Sequence, residues 1–232
     1  MKMDTFNNGK EMLDRYSLGG KVFNKLREDI LAGKYDQNDE LREAAISKEM
    51  GVSRTPVREA LRQLELEGLV TIVPNKGAYV NGVTAKDIYD IYMIRSSLEG
   101  LCARWACDNI TREQLEELEE ITYLSDFHIQ KEHWDQIFEL DNRFHLLLYE
   151  ACGSKILEHI LSDYHHYVER VRKNTLSSQE RAMQAAIEHK AILEAVRNKD
   201  VQKAGELANE HIYRSLENIK QQGLENLMGE NL

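Results

Sequence analysis

Apolar residues recur every three to four positions along most of this chain, and the pattern is interrupted at glycines. Val22, Leu26, Ile30 and Leu31 form a first helical stripe, which Gly33 ends. Ala44, Ala45, Ile46 and Met50 predict a short second helix stopped at Gly51. Ser53 reads as the N-cap of a third helix, with Pro56 tolerated in its first turn. Val57, Ala60, Leu61, Leu64 and Leu66 supply that helix's buried side, and Gly68 closes it. Val70–Val73 and Ala78–Val80 read as short strands around a Pro74-Asn75-Lys76-Gly77 turn. Three helices and a small β-hairpin outline a winged helix-turn-helix over residues 17–81.

The pattern restarts after Asn81-Gly82-Val83. Thr84 reads as an N-cap with Asp87 three residues on. Six helices are predicted beyond it, at about 85–107, 111–129, 133–151, 154–174, 178–198 and 201–222, with no strand pattern after residue 81. The predicted fold is therefore mainly α, a winged helix-turn-helix followed by an all-helical six-helix bundle. The predicted organisation is a flexible arm at 1–16, a DNA-binding domain at 17–81, a helical sensor domain at 82–224 and a frayed tail at 225–232.

Composition alters this picture in one respect. The net charge is −10, an unpromising value for a chain that binds nucleic acid. Residues 1–81 are neutral, however, and residues 82–232 hold the entire excess. DNA binding then requires the basic groups of the first part to share one face, while the acidic second part meets something else. Cys102, Cys107 and Cys152 lack any CxxC spacing and read as buried thiols in a reducing cytosol. No apolar run is long enough to span a membrane, and the polar start is no secretory signal, so a cytoplasmic protein is expected.

The candidate DNA-reading element is Gly51 to Leu61. Arg54, Arg58 and Arg62 are spaced i, i+4, i+8 and lie on one helix face, opposite Val57, Leu61 and Leu64. A helix N-terminus offers N–H groups to phosphate, and guanidinium forks match guanine O6 and N7. Lys76, at the hairpin tip, is placed to reach a phosphate or the minor groove. The plain alternative is a solvated basic face without a ligand. The turn, the cap and the wing, in that order, favour DNA.

These residues, with Gly68-Leu69-Val70 and Pro74 to Val80, resemble the DNA-binding domain of the GntR family. The resemblance implies a homodimer on a pseudo-palindromic double-stranded operator, with Arg54, Thr55 and Arg58 at the DNA and Gly77 close to its backbone. One departure stands out. Some members place a DNA-contacting arginine at the start of the second helix, where this chain has Ala44-Ala45-Ile46. That contact is either missing or supplied by Arg42.

In the second part, polar residues interrupt three apolar stripes. Asp141 and His145 lie among Ile137, Phe138, Phe144 and Leu148; His189 lies among Ala186, Ile192, Leu193 and Val196; His211 lies among Ala204, Leu207, Ala208 and Ser215. With Asp200 capping the last helix, His189 is eleven residues before it and His211 eleven after. Both then stand roughly 16 Å from the turn of an antiparallel hairpin and face each other. One such histidine reads as a hydrogen-bonded core residue. Four converging N and O donors read as a divalent-metal site, one ion per chain, with imidazole favouring zinc or nickel. His128, His133, His159, His165 and His166 are expected to be surface or helix-packing residues.

The pattern Asp141-x-x-x-His145 with His189 and His211 resembles the metal-binding kind of FCD domain in the FadR subfamily of GntR regulators. The resemblance implies a helical bundle that binds a metal with a small carboxylate beside it. Arg95, on the stripe Ile88, Ile91, Leu98 and Cys102, needs a partner there: Glu99 at i+4, or the carboxylate of an effector. The expected protein is thus a ligand-responsive transcriptional regulator. Two alternatives remain at this point: a sensor for which the metal itself is the signal, and a metalloenzyme fused to a DNA-binding domain. The chain lacks Glu-x-x-His, His-Glu-x-x-His, a nucleophile motif and a phosphate loop, all of which weigh against an enzyme.

Overall fold

A computed structural model describes residues 17–74, 76–176 and 178–223. The arm expected at 1–16 and the tail at 225–232 lie outside the described residues. The chain divides into two compact units, Met1–Val83 and Thr84–Leu232.

The first unit holds helices α1 (Leu18–Leu31), α2 (Glu43–Met50) and α3 (Arg54–Leu66), and strands β1 (Glu40–Leu41), β2 (Val70–Val73) and β3 (Gly77–Val80). Val22, Leu26 and Ile30 of α1 are buried, as are Val57, Ala60, Leu61 and Leu64 of α3. Gly51 ends α2 at φ 65°, a left-handed conformation that glycine adopts without strain. Ser53 is the N-cap of α3, but its hydroxyl makes no capping bond. Pro56, two residues after Arg54 opens the helix, lacks the N–H that such a hydroxyl normally accepts from.

Three expectations for this unit change. Leu66 is 88% exposed, because it lies two residues from the buried Leu64 and so points to the opposite side of α3. On α2 only Ile46 is buried, while Ala44 and Ala45 face outward. The sheet has three strands rather than a hairpin alone, in the order β1-β3-β2, all antiparallel, with Leu41 opposite Ala78 and Val70 opposite Val80. Two residues are too few for β1 to show any alternation, so only its pairing reveals it.

The second unit is all helix among its described residues: α4 (Ala85–Asn109), α5 (Arg112–Gln130), α6 (Trp134–Ala151), α7 (Lys155–Tyr167), α8 (Glu169–Leu176), α9 (Gln179–Arg197) and α10 (Val201–Gln222). Capping boxes start α4, at Thr84 with Asp87, and α5, at Thr111 with Gln114. The Asp200 side chain accepts from Lys203 N and starts α10. The core joins Cys102, Ala103 and Ala106 of α4 to Leu118 of α5, Phe144 and Leu148 of α6, Leu161 of α7 and Ile192 of α9. α10 runs along α4, and their backbones meet at two glycines. A methyl on Gly100 would lie 2.8 Å from the Gly205 carbonyl oxygen, so that crossing admits no side chain.

The helix predicted at 154–174 is two helices. The chain turns at Val168, where φ is −101° and ψ 6°. No glycine or proline marks the break. Val168 and Val171 are buried, and Arg172 is tied to α6, so packing of α8 onto the bundle sets the turn. No helix among the described residues is long and apolar enough to cross a membrane.

Candidate metal centre and DNA-binding face

In the first unit, Arg54, Thr55, Arg58 and Arg62 are all exposed on α3, beginning at its N-terminus. Arg58 is bound to Glu43 of α2, with Nε 2.9 and 2.8 Å from the two carboxylate oxygens. This contact raises the Arg58 pKa above its ordinary value. The pair is open to water, and exposed ion pairs are weak, so the guanidinium is easily surrendered to a stronger anion. Arg42 is also exposed and bonds to Glu40 at 2.8 Å. Lys76 is exposed in the turn before β3, and Gly77 opens that strand at φ 130°.

In the second unit, three helices bring three imidazoles together. His145 comes from α6, His189 from α9 and His211 from α10, and all are buried. One ring nitrogen of each lies within 4.8 Å of the others. The inward atoms are Nε2: those of His189 and His211 are 3.2 Å apart, and those of His211 and His145 are 3.4 Å apart. The opposite nitrogens of two rings are held by carboxylates. His145 Nδ1 lies 3.0 Å from Glu99 Oε2, and His211 Nδ1 lies 2.6 Å from Glu188 Oε2. Phe144 stacks on His189, with ring centroids 4.0 Å apart.

These contacts decide which nitrogen is free. Burial raises the Glu99 carboxyl, but Arg95 and His145 outweigh it and hold the group well below the usual carboxylate range. Burial likewise opposes His211 and Arg181 at Glu188, whose pKa is nonetheless lowered to about 2. Both groups are therefore carboxylates and only accept, so the facing Nδ1 atoms carry the hydrogens. Burial, reinforced by neighbouring positive groups, pushes His189 well below the ordinary imidazole value and lowers His211. A neutral ring protonated at Nδ1 presents an Nε2 lone pair. Carboxylate–histidine pairs of this kind orient metal ligands, and the donor set suits a divalent transition metal.

Asp141 stands beside this cluster, with Oδ1 3.7 Å from His189 Nε2. Its other oxygen is engaged by Arg172 of α8. Burial raises the Asp141 carboxyl, but Arg172 and the histidines overcome this and leave it well below its usual range.

Arg95 is completely buried on α4. It donates to Glu99 Oε1 from Nε at 3.0 Å and from Nη2 at 2.6 Å, and Nη2 lies 3.3 Å from the Tyr149 hydroxyl. The i+4 partner is therefore real. Nη1, however, has no partner among the described residues. Arg95 lines a cavity together with Tyr92, Asp141, His145, Arg172 and His211.

Of the two expectations for His165, surface or helix packing, the second holds. His165 is 2% exposed and belongs to this network, with Nε2 2.5 Å from Arg172 Nη1 and 2.9 Å from Asn142 Oδ1. Burial, then Arg172 and Arg95, push it well below the ordinary imidazole value. The stripe Leu157, Leu161, His165 on α7 is the signal that would have found it. Arg172, Arg181, Glu188, Tyr92 and Tyr149 also escaped the sequence reading. Arg181 donates to Glu188 at 3.1 Å and to Ser215 at 2.7 Å.

Comparison with known proteins places both units in known families. Residues 18–80 match the bacterial regulatory proteins of the gntR family, and residues 90–214 match the FCD domain. The uncharacterized HTH-type transcriptional regulator YdhC of Bacillus subtilis is 30% identical over 89% of this chain and 94% of its own. The HTH-type transcriptional repressor RspR of Escherichia coli K12 is 28% identical over 89% of this chain and 90% of its own. The solved structure of E. coli McbR/YncC shares the fold, with a TM-score of 0.70 at 22% identity, covering 89% of this chain and 98% of that one. The chain therefore belongs to the GntR family of bacterial DNA-binding transcriptional regulators, not to a family of enzymes, and carries an FCD domain after its helix-turn-helix.

Proposed function

We propose that this regulator binds its operator as a homodimer in the cytoplasm, and that a small organic acid held beside a divalent metal in the FCD domain modulates that binding. The observation that carries the reading is the convergence of three Nε2 atoms, two of them aimed by carboxylates at Nδ1. His145, His189 and His211 would hold the ion, with Asp141 as a fourth ligand once it leaves Arg172. Zinc or nickel suits these donors. The bound ion supplies a Lewis-acidic centre for one oxygen of the acid. Arg95 faces the acid from α4 with a free Nη1. On the DNA side, Arg54, Thr55, Arg58, Arg62, Lys76 and Gly77 make the contacts. One winged helix offers few of these, and a two-fold pair on a pseudo-palindrome doubles them.

Coupling follows from chain order. α4 carries Arg95 and Glu99 and begins at Ala85, capped by Thr84, directly after the strand and linker that close the first unit. A ligand that favours one setting of α4 therefore biases the DNA-binding unit joined to it. Native mass spectrometry of the purified protein tests the reading at once. Dimers carrying one transition metal per chain, with a small acid of matching mass, are expected. Monomers, or dimers that take up no metal on titration, would refute it.

A further inference from the structure

Two buried polar atoms on α4, Arg95 Nη1 and Tyr92 OH, have no hydrogen-bond partner among the described residues. Both residues line the cavity that reaches Asp141, His145 and His211. They are also neighbours, with the Arg95 guanidinium carbon 5.4 Å from the Tyr92 ring centroid. Burial raises the Tyr92 pKa, so its hydroxyl is protonated and able to donate. An unpaired buried donor is costly, most of all on a charged group, and two on neighbouring residues of one cavity call for an acceptor there.

Charge points the same way. Each arginine of this cavity already has a carboxylate: Arg95 pairs with Glu99, Arg172 with Asp141 and Arg181 with Glu188. These six side chains cancel. A divalent ion on the histidines would add two positive charges to a buried space. A monocarboxylate offsets one of them. A dicarboxylate offsets both, and its second carboxylate provides the acceptor that Arg95 and Tyr92 lack.

We propose that the effector is a short dicarboxylate, with one carboxylate at the His145–His189–His211 cluster and the other accepting from Arg95 Nη1 and Tyr92 OH. This rests on the reading of an acid beside a metal and adds a second anion subsite to it. The cavity measures only about 20 Å³ as described, so a short chain is required and a wall residue must yield. Arg172 is that residue, because its partner Asp141 is also the candidate fourth ligand.

The test is calorimetric titration of zinc-loaded protein, with metal content checked first, using the three- to six-carbon linear dicarboxylates, the monocarboxylates of equal length, and inorganic phosphate. The best dicarboxylate is expected to bind about thirty-fold or more tightly than its monocarboxylate counterpart, as fits two added charge-assisted hydrogen bonds. Tyr92→Phe is expected to weaken that dicarboxylate about five- to fifty-fold and leave the monocarboxylate unchanged. The ligand-free variant should melt no lower than the wild type, since the lost hydroxyl has no partner. If monocarboxylates or phosphate bind as well as dicarboxylates, or Tyr92→Phe leaves dicarboxylate affinity intact, the second subsite is refuted while the acid-and-metal reading survives. If the loaded protein binds no acid at all, both fail.

Discussion

Replacing His211 with alanine is expected to weaken metal binding by more than about a hundred-fold, beyond the ten- to hundred-fold typical of an outer partner. It removes one of three converging Nε2 donors. Glu188 keeps Arg181 and Gln184 as partners in the variant, so no carboxylate is stranded and the bundle should stay folded. His189→Ala is expected to behave alike, with the loss of the Phe144 stack as its structural cost. Glu188→Ala, which leaves all three donors in place but frees the His211 ring, should fall within the smaller range. Elemental analysis of the purified variants reads all three. Unchanged metal content in both histidine variants means that the site is misassigned. Metal loss with the acid response intact makes the metal structural rather than sensory.

Arg58→Ala is expected to lower affinity for the operator roughly ten- to a hundred-fold and to blur selectivity at one base position in each half-site. Arg58 lies one turn into α3 and is exposed, and among the described residues it bonds to the partly exposed carboxylate of Glu43. Arg54, at the first position of the helix, is expected to favour phosphate. Arg54→Ala should then weaken selected and random duplexes alike and flatten the salt dependence by about one unit of slope. Duplexes selected from a random pool by the wild-type protein supply the operator, and anisotropy titrations at two salt concentrations measure both effects. If Arg58→Ala retains full affinity and selectivity, α3 is not the reading helix.

The helix starts were legible because caps are local. Thr84 with Asp87 and the Asp200 cap need only neighbouring residues, and equal distances from Asp200 sufficed to place His189 opposite His211. The missed groups depend on packing. Glu188 sits next to His189 in a polar stretch, and only the approach of α10 turns it inward onto His211. Arg172 reaches Asp141 only because the chain turns at Val168, and no residue type announces that turn. His165 shares a buried stripe with Leu157 and Leu161, but its partners Asn142 and Arg172 come from other helices and no local pattern names them. Arg95 was legible as a buried charge. That Glu99 occupies two of its nitrogens while a third stays open is a matter of geometry alone.

The proposed sensor requires that the acid act through the metal. The most direct test is operator affinity, measured by anisotropy on the selected duplex with zinc-loaded and chelator-stripped protein, each with and without a panel of two- to six-carbon organic acids. At least one acid is expected to change the operator affinity of the loaded protein about ten-fold or more, and to have no effect on the stripped one. An acid that shifts both forms equally, or a loaded protein that no acid shifts, would contradict this.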